Sequence, residues 1–131
     1  MSANPKTVLI VDDDKITLAT YKLAFIEHGH HVLLAENGNV AIKHLEAGHV
    51  DLVLLDILMP EKDGIETLLE IRKRFSKTTV FVMTGAEHDF LTEAARFGAT
   101  GVMRKPITPP ELITLLDCCP GPAATNRRPP Q

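Results

Sequence analysis

The sequence predicts an α/β protein, a doubly wound parallel sheet covered by helices in a three-layer sandwich. Five short apolar runs alternate with five amphipathic stretches along the 131 residues. Strict β-α alternation in so short a chain implies one domain with right-handed crossovers. The first, third and fourth runs are almost continuously apolar, as expected for central parallel strands that helices bury on both faces.

The apolar runs place the five strands of this sheet. They are followed by polar or small residues, which mark where each strand should end. The predicted strands are Thr7–Val11, His31–Ala35, Asp51–Leu55, Thr79–Met83 and Gly101–Met103.

The first helical pattern lies between the first two strands. Apolar residues recur there at spacings of three and four, which predicts an amphipathic helix with Ile16, Ala19, Leu23 and Ile26 on its apolar side. Asp14 stands where its side chain can cap the first turn.

Four further helical patterns follow the later strands. The second runs from about Asn39 to Gly48 and is weak, and the fifth looks short because prolines follow soon after Leu116. The third carries Leu68, Ile71 and Phe75 on one side, the fourth carries Phe90, Ala94 and Phe97 before Gly98, and the fifth opens with the capping sequence Thr108-Pro109-Pro110-Glu111.

Composition excludes several classes of protein. Hydrophobic residues make up 44% and charged residues 24%, and the net charge of −3 does not suit a non-specific nucleic-acid binder. The first apolar run is broken at once by three aspartates, so it is neither a signal segment nor a membrane span. Cys118 and Cys119 are adjacent and are expected to be reduced thiols in a cytoplasmic protein.

The chain divides into a short lead, one domain and a tail. Residues 1–6 form a polar N-terminal lead, residues 7–119 the domain, and residues 120–131 a Pro-rich tail that is expected to be disordered. Met1 and this tail favour a free-standing protein over a piece of a longer one.

The candidate functional residues follow the first, third, fourth and fifth predicted strands. In doubly wound sheets, ligands bind beyond the carboxyl ends of the strands, so these side chains should gather at one edge. The first strand is followed by Asp12, Asp13 and Asp14, the third by Asp56, the fourth by Thr84 and Gly85, and the fifth by Arg104 and Lys105.

Several carboxylates at one edge repel each other unless one is protonated or a hard divalent cation binds between them. Mg²⁺ is the natural candidate because every available ligand is an oxygen. Asp56 would then be a carboxylate nucleophile for a phosphoryl group. Lys105 and Thr84 would neutralise and hydrogen-bond the phosphoryl oxygens.

The residues at the strand ends lie in four segments: VLIVDDD, LVLLDILMPEKDG, VFVMTGA and FGATGVMRKP. Together, these segments resemble the response-regulator receiver domain of two-component signalling, and the resemblance covers nearly all of residues 6–118. The resemblance implies a flavodoxin-like sheet with strand order 2-1-3-4-5. It also implies a regulatory phosphoacceptor rather than an enzyme.

The resemblance further implies a role for each site residue. Asp13 would bind Mg²⁺ directly and Asp12 through water, with further ligands from Asp56 and the backbone carbonyl of Leu58. Asp56 would take its phosphoryl group from a histidine kinase or a histidine phosphotransfer protein, and Thr84 and Lys105 would contact it. The peptide bond between Lys105 and Pro106 is expected to be cis, and Met59-Pro60 and Gly64 would shape the loop beyond Asp56.

The same resemblance implies how the domain would signal. It would act by contact with an unknown downstream protein, without binding nucleic acid or membrane directly. A homodimer through the face formed by the fourth and fifth helices is an open alternative.

The sequence departs from the family pattern at positions that affect switching. Val102 stands where the family has an aromatic switch residue, so the conformational change is expected to be weaker or differently transmitted. Leu58 and Ala86 stand where the family controls the access of water, and neither side chain orients water well. Slow self-dephosphorylation is therefore expected.

The six histidines lie away from the predicted acidic edge, and surface positions in solvent are expected for them. They are His28, His30, His31, His44, His49 and His88.

Two other functions compete with phosphorylation of Asp56. A phosphohydrolase of the haloacid dehalogenase type would use Asp12 as nucleophile and Asp14 as acid, but the chain is short for it and Asp56 would have no task. A pseudo-receiver would act as a binding module without phosphorylation. Val102 gives that alternative some weight, whereas the complete set of acidic, hydroxyl and amino groups opposes it.

Overall fold

The computed structural model of the protein describes residues 4–57, 64–85 and 95–119. The strands are β1 Thr7–Val11, β2 His31–Ala35, β3 Leu52–Asp56, β4 Thr79–Thr84 and β5 Gly101–Arg104. The helices are α1 Lys15–Glu27, α2 Gly38–Ala47, α3 Gly64–Arg74 and α4 Pro109–Thr114, and α4 continues into a 3₁₀ turn, Leu115–Cys118. Helix α4 is the fifth helical pattern of the sequence.

The five strands form one parallel sheet in the order β2-β1-β3-β4-β5. This order confirms the predicted 2-1-3-4-5 topology. Every residue of β3 and β4 is buried, which agrees with their continuously apolar sequences. Strand β3 is shifted by one residue from its predicted bounds and β4 extends one residue further than predicted, so that Asp56 and Thr84 end their strands.

Alternate residues of the strands fill two cores, one on each face of the sheet. Leu9, Val53 and Val82 pack with α2 and α3 on one face. Ile10 and Met83 pack with α1 and α4 on the other. The two cores make the predicted three-layer sandwich, with the sheet as the central layer.

Helix α1 is present as predicted, but its predicted apolar stripe is wrong. Ile16, Ala19, Leu23 and Ile26 are all exposed. A second stripe with the same helical period, which contains the larger aromatic side chains, faces the core instead: Leu18, Tyr21, Ala24 and Phe25. Periodicity alone could not choose between the two stripes, because both satisfy the same spacing.

The predicted caps of α1 and α4 and the predicted buried face of α3 agree with the structure. Asp14 caps α1, and Thr108 forms a capping box with Glu111 at the start of α4. Leu68 and Ile71 of α3 are fully buried, and α4 is short, as expected. The predicted fourth helix lies largely outside the described residues, and so does the tail.

The two cysteines are free thiols, as expected. Cys118 is exposed and Cys119 is buried beneath the 3₁₀ turn. Among the described residues, no helix has the length and apolar character needed to cross a bilayer.

One histidine is not where the sequence placed it. His30 is only 8% exposed, and its Nδ1 accepts a hydrogen bond of 3.0 Å from the backbone N–H of Lys6. The expectation of surface histidines is therefore wrong for His30, because a backbone donor at the start of β1 provides a partner for a buried ring nitrogen. His88 lies outside the described residues.

Hydrogen bonds close the amino edge of the sheet, where the strands begin. The Asp51 carboxylate accepts from the Thr7 N–H at 2.8 Å and from the His49 ring at 2.8 Å. The Asp51 carbonyl accepts from the Cys119 thiol at 3.4 Å. The Asp51 carboxylate therefore links the first residue of β1 to the residue just before β3.

Candidate functional site at the carboxyl edge of the sheet

Three carboxylates meet where β1 and β3 end. Asp12, Asp13 and Asp56 each place one carboxylate oxygen within 4.8 Å of the other two. Asp12 is fully buried and Asp56 is 6% exposed, whereas Asp13 is exposed. The predicted acidic set is thus brought together by the two adjacent central strands, β1 and β3.

Backbone hydrogen bonds fix the position of Asp12. Its N–H donates to the carbonyl of Ala35 at 3.0 Å, which extends the pairing of β1 with β2 by one residue. Its carboxylate accepts from the N–H of Asp14 at 2.9 Å. The side chain of Asp12 is therefore held in place by the turn that leads into α1.

Lys105 lies between the two buried carboxylates. Its ammonium is 2.6 Å from an oxygen of Asp12 and 3.7 Å from an oxygen of Asp56. Burial alone would lower the pKa of Lys105, but the hydrogen bond that its ammonium donates to Asp12 and the negative charge of Asp56 outweigh burial, so the pKa is raised. Lys105 is therefore a cation that is already placed beside the predicted phosphoacceptor.

The turn that carries Lys105 is held from both sides. The backbone N–H of Lys105 donates to the carbonyl of Thr84 at 2.8 Å, and the bond to Pro106 is cis, as expected. The N–H of Ile107 donates to the hydroxyl of Tyr21 at 3.2 Å. The role of Tyr21 could not be predicted from sequence, because no local pattern signals a contact between residues 86 positions apart.

Thr84 and Gly64 complete the described part of the site. Thr84 ends β4 and is fully buried, beside the end of β3. A Cβ on Gly64 would lie 2.3 Å from the Cα of Ile57 and 2.5 Å from the carbonyl oxygen of Asp56. Only glycine permits this close approach, which supports the predicted role of Gly64 in shaping the loop beyond Asp56.

Val102 occupies the predicted switch position on β5. It pairs with Val82 of β4 and is partly buried against the core on the α3 face of the sheet, together with Phe97 and Ala99. Leu58, Met59, Pro60 and Ala86 lie outside the described residues, so the predicted backbone ligand and the predicted control of water stay predictions.

The three carboxylates have the donor chemistry of a site for a hard divalent cation. Carboxylate oxygens are the ligands that Mg²⁺ prefers, and the exposed Asp13 leaves the group open to solvent on one side. Asp12, Asp13 and Asp56 could hold such an ion together with water and a phosphoryl oxygen. The residues present fit the predicted metal.

Asp14 is engaged in a different task. Its carboxylate accepts from the Ile16 N–H at 3.3 Å and from the Thr17 hydroxyl at 2.6 Å. The hydrogen bond from Thr17 lowers the pKa of Asp14 below its ordinary value. A carboxyl group with a lowered pKa is poorly suited to donate a proton, which opposes the haloacid dehalogenase alternative.

Comparison with known proteins identifies the kind of domain. The family described as Response regulator receiver domain matches residues 8–117. The Escherichia coli regulatory protein AtoC is 40% identical over 106 residues, which are 80% of this chain and 23% of AtoC. The chain spans about half or less of the length of the curated relatives it matches.

Solved structures share the fold. TrrA of Thermotoga maritima, a response regulator protein solved in complex with Mg²⁺-BeF, is 31% identical with a TM-score of 0.78, over 86% of this chain and 97% of that chain. The Vibrio cholerae chemotaxis protein CheY4 superposes with a TM-score of 0.81 over 87% of this chain and 98% of that chain. At 24% identity, CheY4 supports the fold alone.

Proposed function

The chain belongs to the response regulator receiver domain family, and from this premise we propose that it is a phosphoacceptor switch in which Asp56 accepts a phosphoryl group. The observation that carries the proposal is the grouping of Asp12, Asp13 and Asp56 within 4.8 Å beside the Lys105 ammonium. One carboxylate at this edge would have a structural explanation, whereas three carboxylates with a cation suit phosphoryl transfer.

In the transfer step, a carboxylate oxygen of Asp56 attacks the phosphorus of the donor. A new O–P bond forms as the P–N bond to the donor imidazole breaks, and the imidazole leaves with the electron pair of that bond. The Lys105 ammonium, which lies 2.6 Å from an oxygen of Asp12 and 3.7 Å from an oxygen of Asp56, turns its charge towards the phosphoryl oxygens. The Thr84 hydroxyl donates to another phosphoryl oxygen.

A divalent cation fits the same proposal. Bound by Asp12, Asp13 and Asp56, with the carbonyl of Leu58 as a further ligand, Mg²⁺ would neutralise charge on the transferred group. The relative TrrA, solved with Mg²⁺-BeF, supports this assignment by analogy. The three carboxylates repel one another when no cation is bound, which favours binding of the ion.

The donor would be a histidine kinase or a histidine phosphotransfer protein, and the output would be contact with another protein. The curated relatives, AtoC among them, are regulatory proteins longer than this chain, which supports a role in signalling. The partly buried Val102 in place of an aromatic switch residue supports a modest conformational change. Slow loss of the phosphoryl group follows from Leu58 and Ala86.

A phosphorylation-independent binding module is the second candidate. The observation that favours it is Val102, which removes the aromatic part of the usual relay. Such a module would bind its partner equally well with and without modification of Asp56.

Intact mass spectrometry after incubation with acetyl phosphate and Mg²⁺ tests the proposal. The expected result is one phosphoryl adduct that requires the metal and is absent from Asp56→Asn. Asp51→Asn is the matched control, because Asp51 is a carboxylate at the opposite edge of the sheet and should leave the adduct unchanged. A folded protein that binds Mg²⁺ but gains no adduct would instead be a binding module.

A further inference from the structure

A cavity of about 290 Å³ lies at the amino edge of the sheet, opposite the acidic edge. The chain before β1, the end of α1, and α4 with its 3₁₀ turn form its walls, through Lys6, His28, His30, Ile113, Leu116 and Asp117. At about 30 Å³ for each molecule, the cavity has room for about ten waters. Sites for small molecules span about 300–1,000 Å³, so this cavity suits a ligand of amino-acid size rather than a nucleotide.

His30 places a buried donor in the wall of this cavity. Its Nδ1 accepts a hydrogen bond from the Lys6 N–H at 3.0 Å, so the neutral ring carries its proton on Nε2. Burial lowers the pKa of His30, which keeps the ring neutral at neutral pH. The residue is only 8% exposed, and among the described residues its Nε2–H has no hydrogen-bond partner. Buried polar groups are normally paired, so this N–H indicates that the cavity receives an acceptor.

The other polar side chains of the cavity supply one more donor and two acceptors. Lys6 contributes an ammonium and Asp117 a carboxylate, and neither forms an ion pair within the described part of the chain. The Nδ1 of His28 lies 3.0 Å from the carbonyl oxygen of Ala24, which can only accept. The Nδ1 of His28 therefore donates, and its Nε2 is an acceptor when the ring is neutral.

Two aliphatic side chains form the apolar wall of the cavity. Leu116 is 6% exposed, and Ile113 is partly buried against the core on the α1 face of the sheet. A ligand therefore meets one cation, one anion and an apolar surface. Asp117 would repel a simple anion such as inorganic phosphate, and Lys6 would repel a simple cation. The wall is complementary to a molecule that carries both charges and an aliphatic group.

We propose that this cavity binds a small zwitterion with an aliphatic side chain, of the class of the free aliphatic amino acids. The carboxylate of the ligand accepts from the His30 Nε2–H and from the Lys6 ammonium. Its ammonium donates to Asp117 and His28, and its aliphatic group packs on Leu116. Binding does not involve Asp56, so it is independent of the proposed phosphorylation.

Titration of the ¹⁵N-labelled protein with L-leucine, followed by amide NMR spectra, tests the proposal. The Lys6 amide, which donates to the His30 ring, should shift saturably with a dissociation constant of about 1 mM. Three matched compounds each lack one part of leucine: isocaproate lacks the ammonium, isoamylamine the carboxylate and glycine the aliphatic group. Each should bind at least about tenfold more weakly. No saturable shift with leucine, or equal shifts with all four compounds, would overturn the proposal.

Substitutions at the two charged positions locate the site. Lys6→Met and Asp117→Asn should each weaken leucine binding about tenfold, because each removes one charge that faces the ligand. Lys43→Met is the matched control, since Lys43 is an exposed lysine on α2, on the other face of the sheet. Asp56→Asn should bind leucine as the wild type does, which separates this site from the phosphoacceptor. Unchanged affinity in both Lys6→Met and Asp117→Asn would show that leucine does not bind in this cavity.

Discussion

The two edges of the sheet use their charged groups in different ways. At the amino edge, both oxygens of the Asp51 carboxylate accept hydrogen bonds, and the buried His30 ring accepts one from the backbone. At the carboxyl edge, three carboxylates crowd within 4.8 Å, and the Lys105 ammonium lies beside two of them. The amino edge therefore contributes to stability, whereas the carboxyl edge holds a concentration of charge that is unfavourable without a ligand.

Crowded carboxylates reduce the free energy of unfolding, so their presence requires an explanation other than stability. Binding of a cation and a phosphoryl group supplies that explanation. Removal of a carboxylate should therefore lower stability at the amino edge and raise it at the carboxyl edge.

The largest expected effect is on phosphorylation. Lys105→Ala should slow modification of Asp56 by acetyl phosphate about 10²–10³-fold, because it removes a positive charge placed where negative charge develops. The rate is measured by intact mass against time. Asp51→Asn, at the opposite edge, should change the rate less than about twofold. Equal losses in both variants would show that the two edges are not functionally distinct.

The next largest effect is on stability at the amino edge. Asp51→Ala should lower the free energy of unfolding by about 2 kcal/mol, since it leaves the Thr7 N–H without its present acceptor. Urea denaturation at neutral pH measures the change. His49 is 80% exposed, so His49→Ala should cost less than about 0.5 kcal/mol and serves as a control for loss of that ion pair alone.

A smaller effect of opposite sign is expected at the carboxyl edge. Asp13→Asn should raise the free energy of unfolding in Mg²⁺-free buffer by about 0.5 kcal/mol, because it removes one of three mutually repelling carboxylates. Adding Mg²⁺ should raise the melting temperature of the wild type and have little effect on the variant. A destabilised Asp13→Asn protein would contradict the idea of unfavourable crowding.

The smallest effect is the pH dependence of the amino edge. Burial, together with the nearby His28, Lys6 and His31, lowers the pKa of His30, and this outweighs the opposing effect of Asp51. The unfolded chain then binds a proton at a higher pH than the folded chain, so stability falls as the pH drops below about 6.5.

The variant His30→Gln separates the contribution of His30 from that of the other histidines. Glutamine can still accept a hydrogen bond from the Lys6 N–H but does not titrate. The unfolding free energy of the variant should therefore fall less steeply below pH 6.5 than that of the wild type. Urea denaturation at a series of pH values measures both slopes. Identical slopes would show that His30 makes no contribution to the loss of stability in acid.

Local patterns predicted most of the fold and the described part of the site. Continuous apolar runs identified the central strands, and the ends of those strands located Asp12, Asp56, Thr84 and Lys105, because parallel strands deliver their carboxyl ends to one edge. The strand order needed the family resemblance, since alternation alone permits several arrangements. The residues at the strand ends could be identified from sequence, because the path of the backbone alone brings them to the carboxyl edge of the sheet.

The failures came from contacts between distant residues. The wrong face of α1 was chosen because two stripes shared one period, and only packing of Tyr21 and Phe25 against the core decides between them. The burial of His30 and the support of Ile107 by Tyr21 depend on partners 24 and 86 positions away. Contacts between residues so far apart in the chain cannot be recognised from a local sequence pattern.

The most direct test of the central claim is the position of the acyl phosphate. Borohydride reduces an aspartyl phosphate to homoserine, so the phosphorylated protein should be treated with borohydride, digested, and analysed by peptide mass spectrometry. We expect homoserine at position 56 and at no other aspartate, and no homoserine when Mg²⁺ is omitted. Homoserine at position 12 or 13 in place of 56 would contradict the assignment of Asp56 as the phosphoacceptor.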